Sequence, residues 1–207
     1  MVERQIRARG IRDPRVLQAM LEIPRERFLP EESRDLSCID EPVGIGFGQT
    51  ISQPYITALM TECLALTGAE TVLDVGSGCG YPAAVLGALA ARVISIEILP
   101  ELAALARLNL EQSGLGGNIL VVCGDGSMGY PARAPYDAIS VAAAAPEVPT
   151  AFLEQLKDGG TLVIPVGSHL DQELRVITKS PGELHSRTAT YCRFVPLVGE
   201  AGFFRQS

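Results

Sequence analysis

From Thr71 onward, short apolar runs alternate with longer amphipathic stretches. Residues 71–75, 93–96, 118–123 and 138–142 are compact and rich in Val, Ile and Leu. They read as buried strands. Helical spacing separates them over residues 81–91 and 100–113, and again over 150–157, which ends at Gly159-Gly160. Strands and helices alternating in this way predict a parallel, doubly wound sheet. The tail has a different rhythm. Residues 161–166, 173–179 and 188–195 are strand-like and joined by turns, which predicts an antiparallel edge. The expected fold class is therefore α/β: a doubly wound, mostly parallel seven-stranded sheet with an antiparallel C-terminal edge, preceded by N-terminal helices.

The first 66 residues are punctuated differently. Residues 1–9 read as helical and stop at Gly10. Asp13-Pro14 supplies an N-cap followed by Pro at the first helical position, for a helix running to about Ile23 and halted by Pro24. Residues 24–49 hold many Pro and Gly and are expected to form a long ordered loop. Ser52-Gln53-Pro54 opens another helix to about Leu66, with Ser52 as its plausible cap. No internal repeat is visible. The whole of 1–207 is expected to be one domain, with 1–66 as a helical segment on the substrate side and 67–207 as a cofactor-binding sheet.

Composition narrows the function classes. At 207 residues, with 47% apolar and 20% charged, the chain can bury a substantial core. The net charge of −7 disfavours non-specific nucleic-acid binding, which needs clustered Lys and Arg. The early basic residues Arg4, Arg7, Arg9, Arg12 and Arg15 are diluted by Glu3 and Asp13 and read first as a solvated helical face. Five widely spaced cysteines show no metal-ligand spacing and are odd in number, so no metal site is expected and reduced, cytoplasmic thiols are the simplest account. The most apolar stretch is broken by Arg92 and Glu97, which argues against a membrane span. His169 and His185 both fall in the antiparallel tail and are expected at the surface.

The chemistry gathers at predicted strand ends. Val-Leu-Asp-Val-Gly-Ser-Gly-Cys-Gly spans residues 72–80, and the next strand ends on Glu97. Glycines there let backbone approach a ligand, and an acid at the second strand's tip can bond ribose hydroxyls. A dinucleotide motif needs a later glycine where Tyr81 stands, and no phosphate-loop Lys follows. The spacing suits S-adenosylmethionine, which carries ribose, adenine and an amino acid but no phosphate. Asp74, Gly76, Ser77, Gly78 and Gly80 then approach the cofactor, with Glu97 on the ribose. Gly124, Asp125 and Gly126 follow the third strand, Asp125 being placed to accept from the adenine amino group, and Ala142 follows the fourth. Plainer readings stand beside these. The glycines could make a tight turn alone, Glu97 a solvated strand end, and Asp125-Gly126 an ordinary turn pair. A further stretch, from Gly44 to Tyr55, joins three glycines to Gln49, Thr50, Ser52 and Gln53 ahead of a helix N-terminus. Such a terminus can hold a carboxylate, although spacing alone favours Ser52 as a simple cap.

Several segments together resemble the protein-L-isoaspartate O-methyltransferase family over nearly the whole chain. They are Arg9-Gly10-Ile11-Arg12-Asp13-Pro14, Ile23-Pro24-Arg25-Glu26-Arg27-Phe28-Leu29-Pro30, Gly48-Gln49-Thr50-Ile51-Ser52-Gln53-Pro54-Tyr55, the glycine motif, Gly124-Asp125-Gly126, Gly159-Gly160, and Phe194-Val195-Pro196-Leu197-Val198-Gly199. The resemblance implies a Rossmann-like methyltransferase fold. It also implies methyl transfer from S-adenosylmethionine to the α-carboxylate of L-isoaspartyl residues in aged proteins, which begins repair through a succinimide. By the same resemblance Ser52 is the active-site serine, with Thr50, Ile51, Gln53 and Ala142 on the substrate side, and isoaspartyl proteins and peptides are the partners. The enzyme is expected to be a cytoplasmic monomer that binds neither nucleic acid nor membrane. The chain departs from the family pattern at Ala142, where Thr is usual, and at Cys38, Gly44, Ile98 and Asp74. Other readings are a methyltransferase for another peptide or small-molecule carboxylate, or a non-catalytic module that binds cofactor or damaged protein.

Overall fold

The computed structural model describes residues 1–203. A small antiparallel hairpin, β1 (Val43–Gly46) and β2 (Gln49–Ile51), precedes the main sheet. The main sheet holds β3 (Thr71–Val75), β4 (Arg92–Glu97), β5 (Ile119–Cys123), β6 (Tyr136–Val141), β7 (Leu156–Gly167), β8 (Gln172–Ser180) and β9 (Glu183–Cys192). Its order is β5-β4-β3-β6-β7-β8-β9. Pairing is parallel from β5 through β7 and antiparallel at β7–β8 and β8–β9, as the tail's rhythm predicts. The chain steps outward from β3 to β4 and β5, then returns to place β6 on the other side of β3. That reversal makes the crevice above β3 the topological switch point, where ligands bind in such sheets.

Alternation along each strand sorts the core. Val72, Val93, Val121, Ala138 and Val163 face one layer, packed by α1 (Pro14–Glu22), α2 (Pro54–Cys63), α3 (Tyr81–Gly87) and α4 (Pro100–Ser113). Met20, Phe28, Tyr81 and Leu102 fill that layer. Leu73, Ile94, Ile139, Leu162 and Ile164 face the opposite layer with Phe152 of α5 (Thr150–Gln155). The N-terminal segment shares the first core, so it is fastened to the sheet by the same apolar burial that holds α3 and α4. At the outer edge, Arg107 of α4 donates from Nε and Nη2 to the Val121 carbonyl of β5, at 3.2 and 3.0 Å.

Several boundaries differ from the sequence expectation, each for a local reason. Residues 1–9 form a π-type turn (Val2–Ile6) and a 3-10 turn (Arg7–Arg9) that stop at Gly10, whose φ is 105°. The expected loop at 24–49 is more structured than a loop: it holds 3-10 helices at Arg25–Phe28 and Glu31–Cys38 and most of the hairpin. Helix α2 ends at Cys63 rather than near Leu66, because Ala65 turns to a positive φ of 52°. Helix α3 ends at Gly87, where the Asn118 amide takes the carbonyls of Gly87 and Ala90, both at 2.9 Å. Gly159-Gly160 lies inside β7 rather than at the end of the preceding helix, which stops at Gln155. Strand β9 begins at Glu183, earlier than expected. Its exposed outer position leaves Glu183–Arg187 with no apolar alternation to read.

Ser52 does not cap α2. Gln53 occupies the N-cap position with no side-chain capping bond, and Pro54 starts the helix. Asp13, by contrast, caps α1 as expected, accepting from the Arg15 N–H at 2.8 Å. Among the described residues no helix is long and apolar enough to cross a membrane, and no cluster of His, Cys, Asp and Glu could hold a metal.

Candidate active site

Strand β3 runs into a turn whose glycines at 76, 78 and 80 all have positive φ. The N–H of Gly76 bonds back to the Ile96 carbonyl at 2.9 Å, folding the turn over the end of β4. Glu97, the last residue of β4, is 6% exposed. Its carboxylate accepts from the N–H of Gly78 at 2.9 Å and of Leu99 at 3.0 Å. One acid thus ties the turn to the loop after β4, and its remaining lone pairs face a cavity of about 230 Å³. Gly76, Gly78, Glu97, Gly126 and Ala142 line this cavity, with Thr50 and Phe47 from the hairpin and residues 195–198 from the C-terminal segment. Among the described residues the lining contains no Lys or Arg. Phosphates would find no counter-charge there, whereas a ribose and a sulfonium cation beside one carboxylate fit the donor set.

The other sequence-predicted cofactor residues lie under or beside that floor. Gly80 sits at the N-cap of α3, and a Cβ there would stand 3.1 Å from the Ala106 carbonyl oxygen, so it serves helix packing. Asp74 and Ser77 are fully buried. Asp74 Oδ2 accepts from Ser95 Oγ at 2.5 Å, and Ser95 Oγ in turn lies 2.5 Å from Ser77 Oγ. The second Asp74 oxygen has no hydrogen-bond partner among the described residues. Burial pushes the Asp74 carboxyl up to about 7 against the Ser95 bond, with the Glu97 charge adding to the rise. Cys79 is likewise buried, which lifts its thiol to about 11 and keeps it protonated.

Gly124 continues the backbone of β5, its N–H bonding the Glu97 carbonyl at 2.9 Å. Gly126 lines the cavity because any Cβ would press on Val75 and Ile96, at 2.8 and 2.9 Å. Asp125 is not among the lining residues. Its two oxygens accept the N–H of Ser127 at 2.8 Å and of Glu200 at 2.9 Å. Burial raises its carboxyl, but these backbone donors outweigh that and hold it below the usual range.

A second cavity of about 320 Å³ adjoins the first. Thr50, Ala142 and Val195 line both and form the common wall. Ser52 and Gln53 line the second cavity. Ile51 does not reach it; it is buried in the core. The side chains here are held by a network that the sequence reading missed. Asp40 accepts from Gln53 Nε2 at 2.7 Å, from the Tyr55 N–H at 3.0 Å and from Arg9 Nη1 at 2.6 Å. The Arg9 guanidinium also lies 3.5 Å from the centre of the Tyr55 ring. Arg9 is thus more than part of a solvated face, and nothing in its local spacing marks this long-range pairing. The C-terminal wall was equally hidden, because residues 194–198 were expected partly as strand rather than as a cover for the strand ends.

A switch-point cavity built for a nucleoside without phosphates, sharing a wall with a hydroxyl-bearing chamber, defines the class of doubly wound S-adenosylmethionine-dependent methyltransferases. The family model for protein-L-isoaspartate(D-aspartate) O-methyltransferase matches residues 1–202, and the chain belongs to that family. It is 53% identical over 205 residues to protein-L-isoaspartate O-methyltransferase 2 of Marinobacter nauticus, covering 98% of this chain and 93% of that protein. The protein-L-isoaspartate O-methyltransferase of Methanoculleus marisnigri is 51% identical, covering 98% of this chain and 92% of that protein. A solved protein-L-isoaspartate O-methyltransferase superposes with a TM-score of 0.86 at 32% identity, covering 98% of this chain and 67% of that one. A putative family member from Plasmodium falciparum, solved with S-adenosyl-L-homocysteine, gives a TM-score of 0.80 at 28% identity, covering 95% of this chain and 96% of that one.

Proposed function

We infer that this enzyme transfers a methyl group from S-adenosyl-L-methionine to the α-carboxylate of L-isoaspartyl residues in damaged proteins, beginning their repair through a succinimide. One observation carries the reading: the Glu97 cavity and the Ser52 cavity meet at a wall of Thr50, Ala142 and Val195. A methyl donor in the first and a carboxylate in the second would face each other across small and uncharged side chains.

The chemistry asks little of the protein in the way of proton transfer. A carboxylate with a pKa near 4 is already ionised at neutral pH. No histidine lines either cavity, and His169 and His185 are both exposed. S-adenosylmethionine supplies an electrophilic methyl on a positively charged sulfur. Glu97 would hold the ribose hydroxyls, and Gly76 and Gly78 would admit the amino-acid portion. Ser52 Oγ would donate to the substrate carboxylate and aim one oxygen at the methyl, with Thr50 and Gln53 beside it. Alignment and removal of water would then provide most of the acceleration.

Residues before 67 supply Ser52 and Gln53 to the acceptor cavity and residues after 66 supply Gly76, Gly78 and Glu97 to the donor cavity, while each cavity also takes residues from the other stretch, which supports action as one domain. The cysteines form no disulfide among the described residues, in keeping with a cytoplasmic enzyme. The acidic net charge supports protein rather than nucleic-acid substrates. The deciding experiment offers isoaspartyl and aspartyl peptides of one sequence and follows S-adenosylhomocysteine release. Release with the isoaspartyl peptide alone is expected. Equal release from both would indicate another carboxylate as the natural acceptor, and none would indicate a binding module.

A further inference from the structure

The chain beyond β9 is fastened across the strand ends by few but specific bonds. Phe194 donates its N–H to Gln172 Oε1 at 2.6 Å and accepts from Gln172 Nε2 at 3.2 Å. Ala144 then donates to the Val195 carbonyl at 2.8 Å and accepts from the Leu197 N–H at 2.7 Å. This lays residues 195–198 along the first cavity as one wall. The chain is caught again just beyond. Glu200 donates its N–H to Asp125 Oδ2 at 2.9 Å, and Ala201 donates to Ser127 Oγ at 3.0 Å. Gly199, with φ at 152°, passes so close that a Cβ would overlap Asp125 Oδ1 and Ser127 Oγ. The Phe203 N–H then returns to the Leu197 carbonyl at 2.7 Å.

We propose that Ser127 and Asp125 are positioning residues for the cofactor, acting as a latch that holds the segment 194–203 down so that residues 195–198 close its cavity. The proposal rests on the reading of that cavity as the S-adenosylmethionine site. Neither latch residue lines the cavity, and Ser127 is wholly buried. Their effect must therefore pass through the segment they grip. Among the described residues the segment pairs near the cavity through two single-residue bridges, Pro196 with Ala144 and Val198 with Phe203, so no long ladder would hold the wall if the latch opened. The carboxylate at Asp125 makes its bond to Glu200 charge-assisted, which strengthens it beyond a neutral contact.

Two variants open the latch from opposite sides. Ser127→Ala removes the acceptor for Ala201. Glu200→Pro removes the N–H that Asp125 accepts while leaving both latch side chains and every cavity residue in place. Labelled S-adenosylhomocysteine is loaded onto the full chain and chased with excess unlabelled compound. Glu200→Pro should release it about tenfold faster than the parent, the scale expected for one lost charge-assisted bond, and Ser127→Ala, which loses a neutral bond, about fivefold faster. The KM for S-adenosylmethionine should rise by more than kcat falls. A purely structural role would lower the melting temperature and leave the release rate at the parental value, and that result overturns the latch. Failure of the parental protein to bind S-adenosylhomocysteine would overturn the cofactor reading itself and the latch with it.

Discussion

The guanidinium of Arg25 donates to the backbone carbonyl of Ser52 at 3.1 Å. The same side chain bonds the carbonyls of Ser37 at 2.9 Å and Glu41 at 3.2 Å, and it is only 2% exposed. Burial pulls its pKa down from the usual arginine value. A buried cation thus gathers four carbonyls, those of Leu36 and Ser37 in the second 3-10 helix and of Glu41 and Ser52 beyond it, fixing where Ser52 sits.

Arg25→Met should therefore lower stability and turnover together. Leaving those buried carbonyls unpaired is expected to cost about 3 kcal/mol. Urea denaturation reads the first effect and isoaspartyl-peptide methylation the second, while cofactor affinity should move least.

Ser52→Ala separates catalysis from binding. Its carbonyl partner Arg25 is untouched, and the serine is outside the first cavity. Turnover should fall by about tenfold or more, the worth of one hydrogen bond to a charged group, with calorimetric affinity for S-adenosylhomocysteine nearly intact. An unchanged turnover would refute the serine's role.

Glu97→Ala should do the reverse. It removes the acceptor shared by Gly78 and Leu99 as well as the proposed ribose anchor. Affinity measured by calorimetry is expected to weaken by roughly ten- to a hundredfold.

Asp74 gives stability a pH dependence. Its carboxyl rises from 3.8 to about 7 on folding, chiefly through burial. Between those values the folded chain binds more protons than the unfolded one, so this group's contribution worsens as pH rises through that window. Below about pH 4 it is absent, and above pH 7 it reaches on the order of 4 kcal/mol. Asp74→Asn should thus be more stable than the parent at pH 8 and lose that advantage by pH 4. Parallel denaturation curves at the two pH values are the check.

The central strands and α4 could be read from the sequence because their signals are local. A buried parallel strand is a short apolar run, and α4 runs from Pro100 to Ser113, between the strand ending at Glu97 and Gly114, whose φ is 71°. The glycine turn and Glu97 were legible for the same reason. What escaped depends on partners far away in the chain. Asp40 finds Arg9 and Gln53, Arg25 finds Ser52, and Asp125 finds Glu200, at separations that no periodicity encodes. Asp125 illustrates the limit well, since the turn it belongs to was visible but the backbone it grips was not. Ser52 was assigned a cap by spacing and a substrate role by resemblance, and the structure removes the cap.

Strand β5 closes one side of the sheet with the run Ile-Leu-Val-Val-Cys, and Leu120 within it is 43% exposed. A bare apolar border of this kind is an invitation to recruit loose polypeptide and grow into aggregates. The Arg107 fork on the Val121 oxygen places a fixed positive charge at that border and takes up one of its docking points. That contact leaves one fewer free acceptor along this border for another strand to pair with.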